Sequence, residues 1–157
     1  MHVMRPTITI ESTNASEYCL RTSVVWTDAG FQITADNGVA HGGTGAGPDG
    51  FELLGAALGH CMLITLIAAA KRDGVALTRA EAQVATKSKL QGAESAPYIS
   101  DFEVDIFLEG DLTEGQRSKL EQATIARCGV RETLTRIPRI TERVHVGRPS
   151  EAAATIN

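Results

Sequence analysis

Residues 51–70 form a run of mostly apolar positions, from Phe51 through Leu53-Leu54 and Cys61 to Ala68-Ala69-Ala70, in a chain of 157 residues. About 20 apolar residues is the length of a membrane span. This run carries Glu52, His60, Gly55 and Gly59, a charge inside a span is costly, and no second span accompanies it. The run therefore reads as a buried core helix of a soluble protein, over about residues 51–71. Asp73-Gly74 ends it, with Lys71 and Arg72 in the last turn, where cations suit the helix dipole. A helix that is apolar all round has to be covered all round, and the rest of the fold has to supply that cover.

Around this helix the chain reads as an α+β domain. Residues 7–12 alternate like a strand, residues 18–27 are rich in β-formers, and residues 31–35 place Phe31, Ile33 and Ala35 on one face after the Asp28-Ala29-Gly30 turn. This predicts an antiparallel meander. Glycines at 38, 42, 43, 45, 47 and 50 make residues 37–50 a loop. After the helix, Ala82, Val84 and Thr86 predict a strand from about 79, though its alternation is imperfect. Phe102, Val104, Ile106 and Leu108 predict a clearer one over 98–109, across a turn at 91–97. Thr113 and Gln116 form a capping box for a second helix ending near Arg127. Cys128-Gly129 interrupts it, residues 130–136 form a short third helix stopped by Pro138, and Ile140 with residues 143–146 suggests a last strand. Residues 147–157 are small and polar, a tail. All of this belongs to one domain over 1–157.

Composition narrows the function. With 43% hydrophobic and 22% charged residues the chain is globular. A net charge of −4 argues against nucleic acid. Three cysteines are too few for a disulfide scaffold and suit a reducing compartment. No apolar h-region is visible near Met1, so the expected location is cytoplasmic, with no membrane partner.

The loop from His41 to Pro48 lacks the Gly-Lys-Ser/Thr ending of a phosphate loop and does not match the dinucleotide fingerprint. It reads as a close-packed loop delivering the chain to the helix. The three cysteines and His2, His41, His60 and His145 show no zinc spacing, and no metal or cofactor is implied. Cys19 reads as a packed thiol. Cys128 stands at the start of a helix, where unpaired N–H groups stabilise a thiolate. Cys61, in mid-helix, would need an external base, a cation or the N-terminus of another helix to lower its pKa.

Two stretches resemble a known family. Residues 42–61, Gly-Gly-Thr-Gly-Ala-Gly-Pro-Asp-Gly-Phe-Glu-Leu-Leu-Gly-Ala-Ala-Leu-Gly-His-Cys, are similar to the central motif of the OsmC/Ohr family. That motif is a Gly-rich loop, then Pro, then Glu-Leu-Leu-x-Ala-Ala-Leu-Gly-x-Cys on a long helix. Residues 128–134, Cys-Gly-Val-Arg-Glu-Thr-Leu, resemble the family's Cys-Pro-Val-x-x-Thr-Leu. With the order of elements, the resemblance covers about residues 7–146. It implies antiparallel sheets around a long central helix in an intertwined homodimer, with the sites at the interface. It also implies a thiol-dependent peroxidase acting on small organic hydroperoxides. Cys61 would be the peroxidatic thiol, Cys128 the resolving thiol, and a dithiol such as a lipoyl or thioredoxin-like protein the reductant.

The departures concern charge. The best-studied members place a Glu ten residues before the reactive Cys, paired with an Arg. Here that position is Phe51, and Glu52 stands nine before Cys61. Nine residues turn a helix by about 900°, which is the opposite face. Glu52 at this offset resembles a less characterised branch of the family, and its plain role is a favourable charge at the helix start. For the cation, Arg21 is the strand candidate besides Arg5, as a residue the partner subunit would bring. His60 is a substitute on the helix itself. Gly50 and Gly129 stand where the family usually has Pro. The charge departures favour a second reading, a small-ligand-binding protein of the same fold with little turnover.

Overall fold

The computed structural model describes residues 7–10, 22–26, 30–90, 92, 96–136 and 138–144. Arg21, Cys19, Arg5 and the 147–157 tail lie outside these residues. The first three strands are β1 (Thr7–Ile10), β2 (Thr22–Trp26) and β3 (Gln32–Asp36), an antiparallel meander in that order. Ile8 stands opposite Val25, and Val25 opposite Ile33. The long helix α1 (Gly50–Arg72) follows, then β4 (Leu77–Lys89) and β5 (Tyr98–Gly110), which pair antiparallel from Leu77/Gly110 to Lys89/Tyr98. The chain continues into α2 (Glu114–Arg127) and the six-residue α3 (Gly129–Leu134). The fold is α+β.

The Gly-rich segment is a packed delivery loop. Buried Asp36, at the end of β3, accepts hydrogen bonds from the Thr44 hydroxyl and from the amides of Asn37, Thr44 and Ala46, the last two at 3.0 Å. The Asp36 amide donates to the Pro48 carbonyl at 3.1 Å. A Cβ on Gly47 would stand 2.4 Å from the Thr34 carbonyl oxygen, so only glycine lets the loop lie this close to β3. The loop delivers Asp49 as N-cap of α1. Its carboxylate accepts from the Phe51 and Glu52 amides, and the Glu52 carboxylate accepts from the Asp49 amide at 2.9 Å. This is a second capping box, reciprocal like that of Thr113 and Gln116.

One side of α1 lies on the β4–β5 hairpin. Gly55 and Gly59 face β4, and a Cβ on Gly59 would stand 2.9 Å from Val84 Cγ2. The core below comprises Leu66, Ala69, Ala70, Val75 and Leu120, with Leu77, Ile106, Leu108, Leu112 and Ala123 packed against it. The inward residues of β5 are Phe102, Val104, Ile106 and Leu108, the face its alternation predicts. Cover is incomplete: Ile64 is 53% and Ile67 44% exposed on the other side of α1.

Several boundaries differ from the sequence expectation, among them β3, which spans Gln32–Asp36 rather than 31–35. β4 begins at Leu77, two residues early, beside a register irregularity between Leu77 and Arg79. The third helix spans Gly129–Leu134 rather than 130–136. The strand expected around Ile140 does not form over residues 139–144; Ile140 is 74% and Val144 96% exposed, and no described strand of the same protomer pairs with them. A strand needs a neighbouring ladder for its backbone groups. Residues 145 and 146 lie outside the description.

Candidate active site

The break between α2 and α3 places the site. Cys128 is at once the C-cap of α2 and the N-cap of α3. Its amide donates to the Thr124 carbonyl at 3.1 Å, its carbonyl accepts from the Glu132 amide at 3.0 Å, and its sulfur accepts from the Arg131 amide at 3.4 Å. Its extended backbone, φ −73° and ψ 109°, turns α3 so that the first amides of α3 are free of intrahelical partners. Gly129 and Val130 present those amides to Cys61 of α1.

Cys61 therefore receives its stabilisation from a neighbouring helix. The Val130 amide holds its thiol below the ordinary range. Burial opposes this, while the Cys128 thiol, the Gly129 amide and the Thr65 hydroxyl add to the lowering. Cys128 moves the other way. Burial pushes it up, the Arg131 amide opposes, and the hydrogen bond to Cys61 with its negative charge raises it further. The two directions make a polarised pair, in which Cys61 is the more acidic thiol and Cys128 the less acidic one. Exposure agrees: Cys61 is half-buried and Cys128 is 1% exposed, so Cys61 meets a solute first.

The helix start does act on Cys128 as expected, through amides that lower its thiol. Cys128 accepts from the Arg131 amide, and the Val130 amide lowers it too, but burial is the larger effect and carries it upward. Glu52 is on the far side of α1. It is exposed, closes the capping box with Asp49, and lines a groove on β4 with Gly55, Gly59, His60 and Val84. Within one protomer it is not among the groups that hold Cys61, and neither is His60. Among the described residues, no three His, Cys, Asp or Glu side chains gather into a metal site. Thr65, four residues after Cys61 on the same helix face, was not singled out from the sequence; the Cys-x-x-x-Thr spacing was the available signal. On a different side of α1, a cavity of about 350 Å³ lies against β5 and α2, lined by Met62, Leu66, Val104, Ile106 and Ile125 among others.

Comparison with known proteins agrees with this layout. The chain resembles an OsmC-like protein of unknown function from Vibrio cholerae at a TM-score of 0.71 and 14% identity, covering 85% of this chain and 94% of that one. An OsmC-like protein from Mycoplasma pneumoniae follows at 0.70 and 17%, with 87% and 89% covered. An OsmC-like hydroperoxide resistance protein from Jannaschia sp. CCS1 matches at 0.54 and 22%, with 82% and 84% covered. No curated protein matches the chain. Residues 43–143, which hold the Gly-rich loop, α1, the β4–β5 hairpin and both site cysteines, match the family described as OsmC-like protein. The chain belongs to the OsmC-like family.

Proposed function

We propose that this protein is a thiol-dependent peroxidase for organic hydroperoxides. The observation that carries the reading is the polarised Cys61–Cys128 pair at the start of α3. In the reaction, the Cys61 thiolate attacks the distal oxygen of the hydroperoxide and the O–O bond breaks. The alkoxide leaves and takes a proton from water as an alcohol, and Cys61 becomes a sulfenic acid. The Cys128 sulfur, losing its proton, then attacks the Cys61 sulfur, an S–S bond forms and water departs. A dithiol, of the lipoyl or thioredoxin-like kind, takes the oxidation by becoming a cyclic disulfide and returns both thiols. The structural relatives described as hydroperoxide resistance proteins support the reading.

The same reading includes a homodimer. Ile64 and Ile67 leave an apolar stripe of α1 uncovered in one protomer, and a second copy would cover it. Its test is the mass in solution.

One observation favours the second reading, a ligand-binding protein with little turnover: none of the groups that hold the Cys61 thiolate is charged. Stopped-flow oxidation of the reduced protein by cumene hydroperoxide and by hydrogen peroxide, with Cys61→Ser as control, separates the two. The peroxidase reading expects a 61–128 disulfide by mass spectrometry, formed rapidly and faster with the organic peroxide. A rate no greater than that of a free thiol overturns it.

A further inference from the structure

We infer that Thr65 is a switching hydrogen-bond donor to Cys61: its hydroxyl serves the Cys61 carbonyl while the sulfur is protonated and turns to the sulfur when it is a thiolate. This deepens the reading of Cys61 as the reactive thiolate and rests on it. The Thr65 hydroxyl donates to the Cys61 carbonyl at 2.8 Å, and Thr65 lies one turn along α1 from Cys61, where side chains four residues apart are neighbours.

Helical threonines often bond back to the carbonyl four residues earlier. Thr124 does so to Leu120 at 2.8 Å, and Thr133 to Gly129 at 2.9 Å. Neither has a sulfur four residues back. Thr65 does, so its single proton has two acceptors. The Cys61 carbonyl also lies in the α1 ladder and keeps its backbone bond when the hydroxyl leaves. The turn is a rotation about one C–O bond and orphans no buried group. A hydroxyl bond to an ionised acceptor is worth more than one to a carbonyl, so the thiolate draws the proton towards itself. No proton is transferred; Thr65 keeps its own throughout.

The test is iodoacetamide alkylation of Cys61 in the reduced full chain, followed by mass spectrometry as a function of pH, for the wild type, Thr65→Val and Thr65→Ser. Valine keeps the branched shape, and serine keeps the hydroxyl. The expected result is a midpoint moved upward in Thr65→Val, with alkylation below the midpoint slowed roughly fivefold and the high-pH plateau unchanged. Thr65→Ser stays within about twofold of wild type. Superimposed wild-type and Thr65→Val profiles overturn the inference, and so does Thr65→Ser behaving like Thr65→Val. If the wild type proves inert to hydroperoxides while Thr65→Val still shifts the midpoint, the peroxidase reading fails and this inference stands. If the wild type reacts through Cys61 and the midpoint does not move, Thr65 alone is wrong.

Discussion

Cys61 and Cys128 act on one another in opposite senses: their pairing lowers the first thiol and raises the second. The asymmetry originates in the backbone. A two-helix junction brings the Val130 and Gly129 amides to Cys61 of α1, while burial pushes the Cys128 thiol up. In the proposed reaction this difference makes Cys61 the nucleophile and Cys128 the resolving thiol.

Gly129→Pro separates the two amides. Proline removes the Gly129 N–H and leaves the Val130 N–H, the stronger of the two. Gly129 is the first residue of α3, where proline is favoured, and the extended backbone of Cys128 suits a residue before proline. The variant is expected to be more stable by about 0.5–1 kcal/mol in urea unfolding. Cys61 should still titrate below an ordinary thiol, with only a small rise in its alkylation midpoint.

Glu52→Ala tests whether that carboxylate acts on the site. Its role in the structure is to close the α1 capping box with Asp49. Loss is expected to cost about 0.5–1 kcal/mol in urea unfolding and to leave the Cys61 alkylation profile unmoved. A shifted profile would return Glu52 to the site.

Gly59 and Gly55 both face β4, with unequal room. A Cβ on Gly59 meets Val84 Cγ2 at 2.9 Å, whereas on Gly55 the nearest atom is Thr86 Cγ2 at 3.4 Å. Gly59→Ala is expected to lose about 1–3 kcal/mol through overpacking. Gly55→Ala is expected to be neutral or to gain up to about 1 kcal/mol from helix propensity. Thermal melts of the two variants give the ranking.

Asp36 adds a pH dependence. The Thr44 hydroxyl and the Ala46 amide hold its carboxyl below the ordinary range, with burial opposing. A depressed folded pKa means that the stabilisation is fully present above the unfolded carboxylate value and is lost as pH falls through the lower folded value. Stability measured against pH should fall on the acid side of the ordinary Asp range. Asp36→Asn, which replaces one acceptor oxygen with a donor, should be less stable at neutral pH and flatter with acid.

Much of this was legible in the sequence because it was periodic or punctuated. The alternation of Phe102, Val104, Ile106 and Leu108 gave β5, and Thr113 with Gln116 gave the start of α2. The 900° turn between Glu52 and Cys61 put them on opposite faces before any coordinates, and that is where they stand. What the sequence left open was the source of the Cys61 stabilisation. The N-terminus of another helix was one candidate, but which helix reaches Cys61 depends on tertiary placement. The same limit hid the burial of Cys128: its position at a helix start is local and legible, whereas the packing that pushes its thiol up is not. The α1 capping box is a local signal, Asp49-x-x-Glu52, and gives Glu52 a structural role at the helix start. The strand expected at Ile140 failed for want of a ladder within the protomer.

The most direct test is iodoacetamide alkylation of the reduced wild-type protein across pH, with Cys61 and Cys128 followed separately by mass spectrometry. The account predicts that Cys61 is alkylated with a midpoint below the ordinary thiol range of about 8.5, while Cys128 reacts only at a pH above it. A Cys128 midpoint below that of Cys61, or two coincident midpoints near the ordinary value, would contradict the polarised pair and the reaction built on it.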